Sequence, residues 1–204
     1  MGGAIYNNDA TIGNITGDFV GNYALGEFAY CGAIYNDGTI GDITGDFIGN
    51  WASGYYTCGG ALYNSGTVGD ITGDFIGNYA SGYYVFGGVI YNYHGTIGDI
   101  TGDFIGNWSS SSTTDEYCGV YGGAIYNYYG TIGNITGDFT GNYVGSCGGA
   151  VYNEGNLKLN IVPDGKAETY ETISDFVVAK NEIDAKFNSL ILANRALCYH
   201  TITI

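Results

Sequence analysis

Two short blocks alternate along most of this chain, and they restrict its fold more than any other feature. GGAIYN occupies residues 2–7, and variants follow at 31–36 (CGAIYN), 59–64 (GGALYN), 87–92 (GGVIYN), 122–127 (GGAIYN) and 148–153 (GGAVYN). Between them ITGDFxGN recurs with its ring at Phe19, Phe47, Phe75, Phe104 and Phe139, spacings of 28, 28, 29 and 35 residues. The last interval is stretched by an insertion at 109–121. A unit this short cannot bury a core of its own, so each must stack on its neighbours.

The residue types exclude helical stacking. Gly, Asn, Thr and β-branched Ile dominate each unit, and all are poor helix formers. Alternation points to strands instead: Ile43, Gly45 and Phe47 share one face while Thr44 and Asp46 share the other. Ile40 and Ile43 are an odd spacing apart and would face opposite ways on a straight strand. A corner at Gly41-Asp42 lets both point inward. Short strands joined by Gly, Asn and Asp corners describe a parallel β-solenoid, in which equivalent residues form columns about 4.8 Å apart.

Consistent columns follow from that spacing. Ile15, Ile43, Ile71, Ile100 and Ile135 form an apolar row, and the five phenylalanines form another. Asn22, Asn50, Asn78, Asn107 and Asn142 form an amide ladder able to hydrogen-bond from coil to coil. The next position is always aromatic: Tyr23, Trp51, Tyr79, Trp108, Tyr143. Tyr6, Tyr35, Tyr63, Tyr91, Tyr126 and Tyr152 form a further row. Alternation says only that this tyrosine and its neighbouring isoleucine face opposite ways, not which faces inward.

Charge divides the chain. Lys158, Lys166, Lys180, Lys186 and Arg195 are its only basic residues, all beyond the repeats, and 35 of its 37 glycines precede position 154. The expected organisation is a repeat β-helix over 1–153 and a distinct segment over 154–204. A net charge of −15 argues against nucleic acid and anionic membrane surfaces, which demand basic patches. No apolar run reaches the roughly 18 residues of a membrane-spanning helix. Nor does the start of the sequence read as a secretion signal.

The alternation of GGA[ILV] with FxxN resembles the repeats of the chlamydial polymorphic outer membrane proteins. FxxN is present in all five copies, as in Phe19-Val20-Gly21-Asn22, whereas Cys31 and Val89 depart from GGA[ILV]. The resemblance implies an autotransporter passenger: a right-handed parallel β-helix at a Gram-negative surface or outside the cell, with adhesion to a host surface protein or glycan as its role. It further implies a longer chain, because family members carry a signal peptide and a translocator barrel that are not seen here.

Several residue sets are candidates for chemistry. Asp18, Asp46, Asp74, Asp103 and Asp138 align in one acidic column, and Asn14, Asp42, Asp70, Asp99 and Asn134 in a second. With no Lys or Arg in the repeats, bound Ca²⁺ would neutralise such columns, since hard cations take carboxylate oxygens. The competing reading is a solvated acidic face. The segments at 24–30, 52–58, 80–86 and 109–121 break the repeat and read as variable loops on a rigid scaffold, where recognition tends to sit. Tyr55, Tyr56, Tyr83, Tyr84 and Tyr117 are the contact candidates there. Columns of rings would equally serve to stabilise neighbouring coils. Cys31 and Cys58 fall close enough in stacked coils for a disulfide, or for two small buried thiols beside a glycine column.

Catalysis on such a scaffold would break the repeat with a local cluster of acids, bases and histidines. Only His94 occurs before position 154, and the carboxylates are periodic. A non-enzyme is therefore expected, with a purely structural surface filament and a polysaccharide-active β-helix as the rival readings. Beyond the repeats, Leu157, Leu159 and Ile161 alternate as a strand that ends at Pro163-Asp164-Gly165. From Ile173 to Asn194 the spacing turns helical, as a cap over the last coil would. The fold expected is all-β: a right-handed parallel β-helix of about six coils with a short mixed C-terminal cap or tail.

Overall fold

The computed structural model describes residues 2–111, 119–144 and 149–157 with their side chains, and 158–161 and 168–170 as backbone. All regular structure in these residues is strand. The strands wind into stacked coils whose faces form parallel sheets.

Each coil passes through the same stations. It starts on a six-stranded sheet built from Ile5–Asn7, Ile34–Asn36, Leu62–Asn64, Ile90–Tyr93, Ile125–Tyr128 and Val151–Asn153. Two short strands follow, as in Thr39–Ile40 and Ile43–Thr44, separated by the Gly41-Asp42 corner. Ile40 and Ile43 are both buried, so the corner turns two residues of odd spacing to the same side. The phenylalanine strands form a five-stranded sheet, and the segment after FxxN forms a seven-stranded one.

Register is set by identity. Phe47 pairs with Phe19 and Phe75, Trp51 with Tyr23 and Tyr79, and Ile71 with Ile43 and Ile100. The phenylalanines stack inside at centroid distances of 4.5 to 4.9 Å. With the isoleucine rows they form one continuous core along the axis. Burying each such side chain is worth about 1.5–3 kcal/mol, and no coil could gain that alone.

The question left open by GGAIYN is resolved by burial. Ile34, Leu62, Ile90, Ile125 and Val151 point into the core, and the tyrosines lie on the outer side. The second glycine of the motif allows coils to approach: a Cβ on Gly60 would collide with the carbonyls of Gly88 and Tyr79. The first glycine is left-handed at Gly59, Gly87 and Gly122. Cys31 stands at the same place with an ordinary negative φ, which explains why a side chain is tolerated there.

The presumed loops depart from the sequence reading, and the strand expected after position 153 is present. Residues 52–58 and 80–86 are not loops. They lie within the strands Trp51–Cys58 and Tyr79–Phe86, eight residues each and paired in register. Small and β-branched side chains let them continue the sheet: Ala52, Thr57, Ala80 and Val85 are all buried, five residues apart in each strand, and the ladder skips Tyr55 and Tyr83 between them. The insertion behind the spacing of 35 falls between Trp108–Ser111 and Val120–Tyr121, which both pair with Tyr79–Phe86. Past position 153 the sixth coil continues as Asn156–Ile161, parallel to Thr131–Thr136, and Glu168–Tyr170 adds antiparallel to it. The helical reading of 173–194 lies outside the described residues.

Candidate functional site

The outer face of the seven-stranded sheet is aromatic. Tyr23, Trp51, Tyr79 and Trp108 stack in one column at 5.3, 5.7 and 5.1 Å. Beyond a row of small side chains lie Tyr55, Tyr56, Tyr83 and Tyr84, which form a single patch. Tyr55 stacks on Tyr83 at 4.9 Å and Tyr56 on Tyr84 at 5.1 Å, with edge contacts closing the square. Four of the five contact candidates are thus brought together on a sheet, and Tyr117 lies outside the described residues. Neighbours within a column cover each other's ring faces, so the columns present chiefly ring edges and hydroxyls outward.

A second aromatic feature was not anticipated from the repeat. Along the corner between the seven- and six-stranded sheets runs a groove of about 410 Å³ lined by Phe86, Tyr91, Tyr93, Tyr121, Tyr126, Tyr128, Tyr152 and Glu154. Its floor is the tyrosine column, with Tyr91 and Tyr126 stacked at 5.1 Å. Phe86 and Tyr121 form one wall, and Tyr93 and Tyr128, stacked at 5.5 Å, the other. Burial, followed by the nearby Glu154 carboxylate, pushes the Tyr126 phenol far up, so it stays protonated. The signal in the sequence was a one-residue lengthening that brings in tyrosine: YNYHG and YNYYG replace the YNDG and YNSG of coils two and three, while the equally long first turn, YNNDA, has Asn8 in that place. The extra residue is absorbed at His94 and Tyr129, both left-handed, which extends those strands to Tyr93 and Tyr128.

The acidic columns have a structural partner. Asp18 Oδ1 accepts the Asp46 N–H at 2.9 Å, and the pattern repeats through Asp74, Asp103 and Asp138 at 2.8 to 2.9 Å. The second column does the same, from Asn14 through Asp42, Asp70 and Asp99 to Asn134, at 2.8 to 3.0 Å. One carboxylate oxygen per residue therefore satisfies a backbone amide of the next coil. Among the described residues no group of three or more His, Cys, Asp or Glu is placed to hold a metal ion.

Inside the solenoid, polar side chains form two ladders where the sequence suggested one. The expected ladder from Asn22 to Asn142 is present, each amide donating to the next Oδ1 at 2.9 to 3.1 Å. The unforeseen one uses the last residue of GGAIYN, running from Asn7 through Asn36, Asn64, Asn92 and Asn127 to Asn153 at 2.7 to 2.9 Å. Its constancy across all six copies was the available clue. Among the described residues every buried side-chain nitrogen and oxygen has a hydrogen-bond partner.

Cys31 and Cys58 are both buried, separate thiols, so the considered bridge between them is not formed. The register sets Cys58 against Tyr30, whose carbonyl accepts its N–H at 3.0 Å, one residue away from Cys31. Burial pushes the Cys58 thiol up to about 12, leaving it protonated and unreactive at neutral pH. His94 is exposed and packs edge-on against Tyr93 and Tyr128, the two residues that form one wall of the groove.

Comparison with known proteins adds one relationship. The family profile of the Chlamydia polymorphic membrane protein (Chlamydia_PMP) repeat matches residues 136–154, a stretch that holds one FxxN and the GGAV that follows it. Neither the curated proteins nor the solved structures include a significant match.

Proposed function

From the Chlamydia polymorphic membrane protein repeat at 136–154, which supports the family resemblance of the whole alternation, we propose that this chain is the rigid, surface-displayed part of an adhesin-like protein. The repeat and the β-solenoid together fit a surface autotransporter passenger-like protein. In this reading it lies outside the cell or on the outer membrane and contacts a host surface protein or glycan. The contact surface is the Tyr55, Tyr56, Tyr83 and Tyr84 patch, presented on a flat sheet rather than on loops. The observation that carries the reading is the row of exposed rings along the seven-stranded sheet: Tyr23, Tyr55 and Trp108, each on a different coil, are 58%, 46% and 44% exposed. Tyr and Trp combine apolar area with a polar tip and recur at binding surfaces.

A second reading is favoured by the stacking itself. Rings that cover each other's faces stabilise the rod, and a purely structural filament needs nothing more. Host-cell and glycan-array binding by the full chain separates the two. The adhesin reading expects binding that falls at least about tenfold when Tyr55 and Tyr83 become serine, the loss of one or more anchor residues. Binding that survives that change, or no binding at all, supports the structural filament.

A further inference from the structure

We propose that the tyrosine-lined groove at the corner of coils four to six is a receptor site for arginine side chains of a basic partner peptide. This rests on the groove alone and stands or falls apart from the adhesin reading.

Three observations support it. First, the site is built where the turn is long and carries tyrosine. Coils one, four and five hold an extra left-handed residue at Asp9, His94 and Tyr129. Only in four and five does a tyrosine, Tyr93 or Tyr128, precede it and form a wall, Asn8 standing there in coil one. Tyr93 and Tyr128 occupy the place held by Asp37 and Ser65 in the shorter turns of coils two and three. Second, the lining combines aromatic rings with a single carboxylate at one end. Glu154 follows Tyr128 in the same wall, its N–H donating to the Asn127 carbonyl at 2.8 Å, and its carboxylate is exposed. Third, the repeats that build the groove supply no cation to it, since no Lys or Arg occurs in residues 1–153.

These features select the ligand chemistry. Aromatic rings and phenol oxygens attract cations, and a planar, weakly hydrated guanidinium packs against such a lining better than a compact ammonium does. The guanidinium also brings donors in a fixed fork for the Glu154 carboxylate and the phenol oxygens around it. A quaternary ammonium would use the rings but not the carboxylate fork. A neutral sugar would gain nothing from Glu154. The volume of about 410 Å³ lies in the range of small-ligand sites and accommodates one or two such side chains.

The test titrates the full chain with a short acetylated Gly-Arg-Gly-Arg-Gly amide, followed by calorimetry and by tyrosine ring signals in NMR. Its counterparts carry citrulline, which keeps the shape without the charge, or lysine. The arginine peptide is expected to bind about tenfold or more tightly than the citrulline peptide, and more tightly than the lysine one. Ring shifts should concentrate on Tyr93, Tyr126 and Tyr128. Glu154→Gln, at an exposed position, should weaken arginine binding several-fold, whereas Asp42→Asn on the acidic corner should not. Tyr93→Ser removes one wall and should abolish the preference for arginine over citrulline. Equal affinity for arginine and citrulline peptides overturns the proposal. So does binding that Asp42→Asn weakens as much as Glu154→Gln, because that would be general attraction to a chain of net charge −15.

Discussion

Asn36 donates its side-chain amide to Asn64 Oδ1 at 2.8 Å, and neither residue has any solvent exposure. Asn64 in turn donates to Asn92 Oδ1 at 2.8 Å and reaches the carbonyls of Gly66 and Thr96 at 3.2 Å. The amides point the same way along the axis, so each coil supplies the acceptor required by the one before it. Replacing Asn64 with Ala strips partners from both neighbouring coils at once. The expected cost is about 2–4 kcal/mol, read as a lower urea midpoint. Asn7→Ala, at the end of the ladder, should cost less than half of that. Equal losses at both positions would show that the ladder is not cooperative between coils.

Gly60 and Gly77 make opposite demands on a methyl group. At Gly60 a Cβ runs into backbone carbonyls of the adjoining turns, which no side-chain motion relieves. At Gly77 there is open space, and only the left-handed φ of +61° resists a side chain. Gly77→Ala should therefore cost about 1–2 kcal/mol and fold normally. Gly60→Ala should separate two coils and yield insoluble or extensively exchanging protein. Comparable hydrogen-exchange profiles for the two variants would refute this account of the GGA motif.

Much of the architecture was legible because the repeat is nearly exact. Columns can be read from a sequence when every unit returns the same residue, and the Phe, Ile and aromatic columns pair as that logic requires. Legibility failed where the clue was local. The segments around Tyr55 and Tyr83 vary between coils, and variation suggested loops. Their buried positions, Ala52 and Thr57 or Ala80 and Val85, lie five apart, a spacing that simple alternation does not produce and that hid the strands. The groove depended on a single inserted residue per coil, whose effect on backbone direction comes from φ at His94 and Tyr129, a property that periodicity does not carry. The direction of Tyr against Ile was undecidable by alternation, and the burial of Ile34, Leu62, Ile90 and Ile125 in the core resolved it.

The buried phenols make the fold sensitive to base. Burial, with lesser contributions from Asp37 and neighbouring phenols, pushes Tyr35 up to about 12, and burial drives Tyr63, Tyr91 and Tyr126 higher. Cys58 is likewise raised to about 12. A folded pKa above the unfolded one means the stabilisation is complete below the unfolded value, near 10 for Tyr. It is lost as pH rises through the folded value. Stability should hold to about pH 10 and then fall steeply toward pH 12. Phenolate absorbance should show the buried tyrosines ionising together with loss of the β circular-dichroism signal. Gradual ionisation with the fold intact would contradict this burial.

The acidic columns should stand without a cation. Each carboxylate between Asp18 and Asp103 already accepts an amide of the next coil. The thermal transition should be unmoved by EDTA, and salt should raise it modestly by screening like charges about 4.8 Å apart. A marked drop with EDTA that Ca²⁺ restores would assign these columns to metal binding instead.

The stacking of like residues in successive coils is tested most directly by methyl NOEs in the isoleucine-labelled full chain. Cross-peaks are predicted from Ile71 to both Ile43 and Ile100, residues 28 and 29 positions away. Absence of those cross-peaks, with Ile71 contacting only residues within its own turn, would contradict the fold and everything built on it.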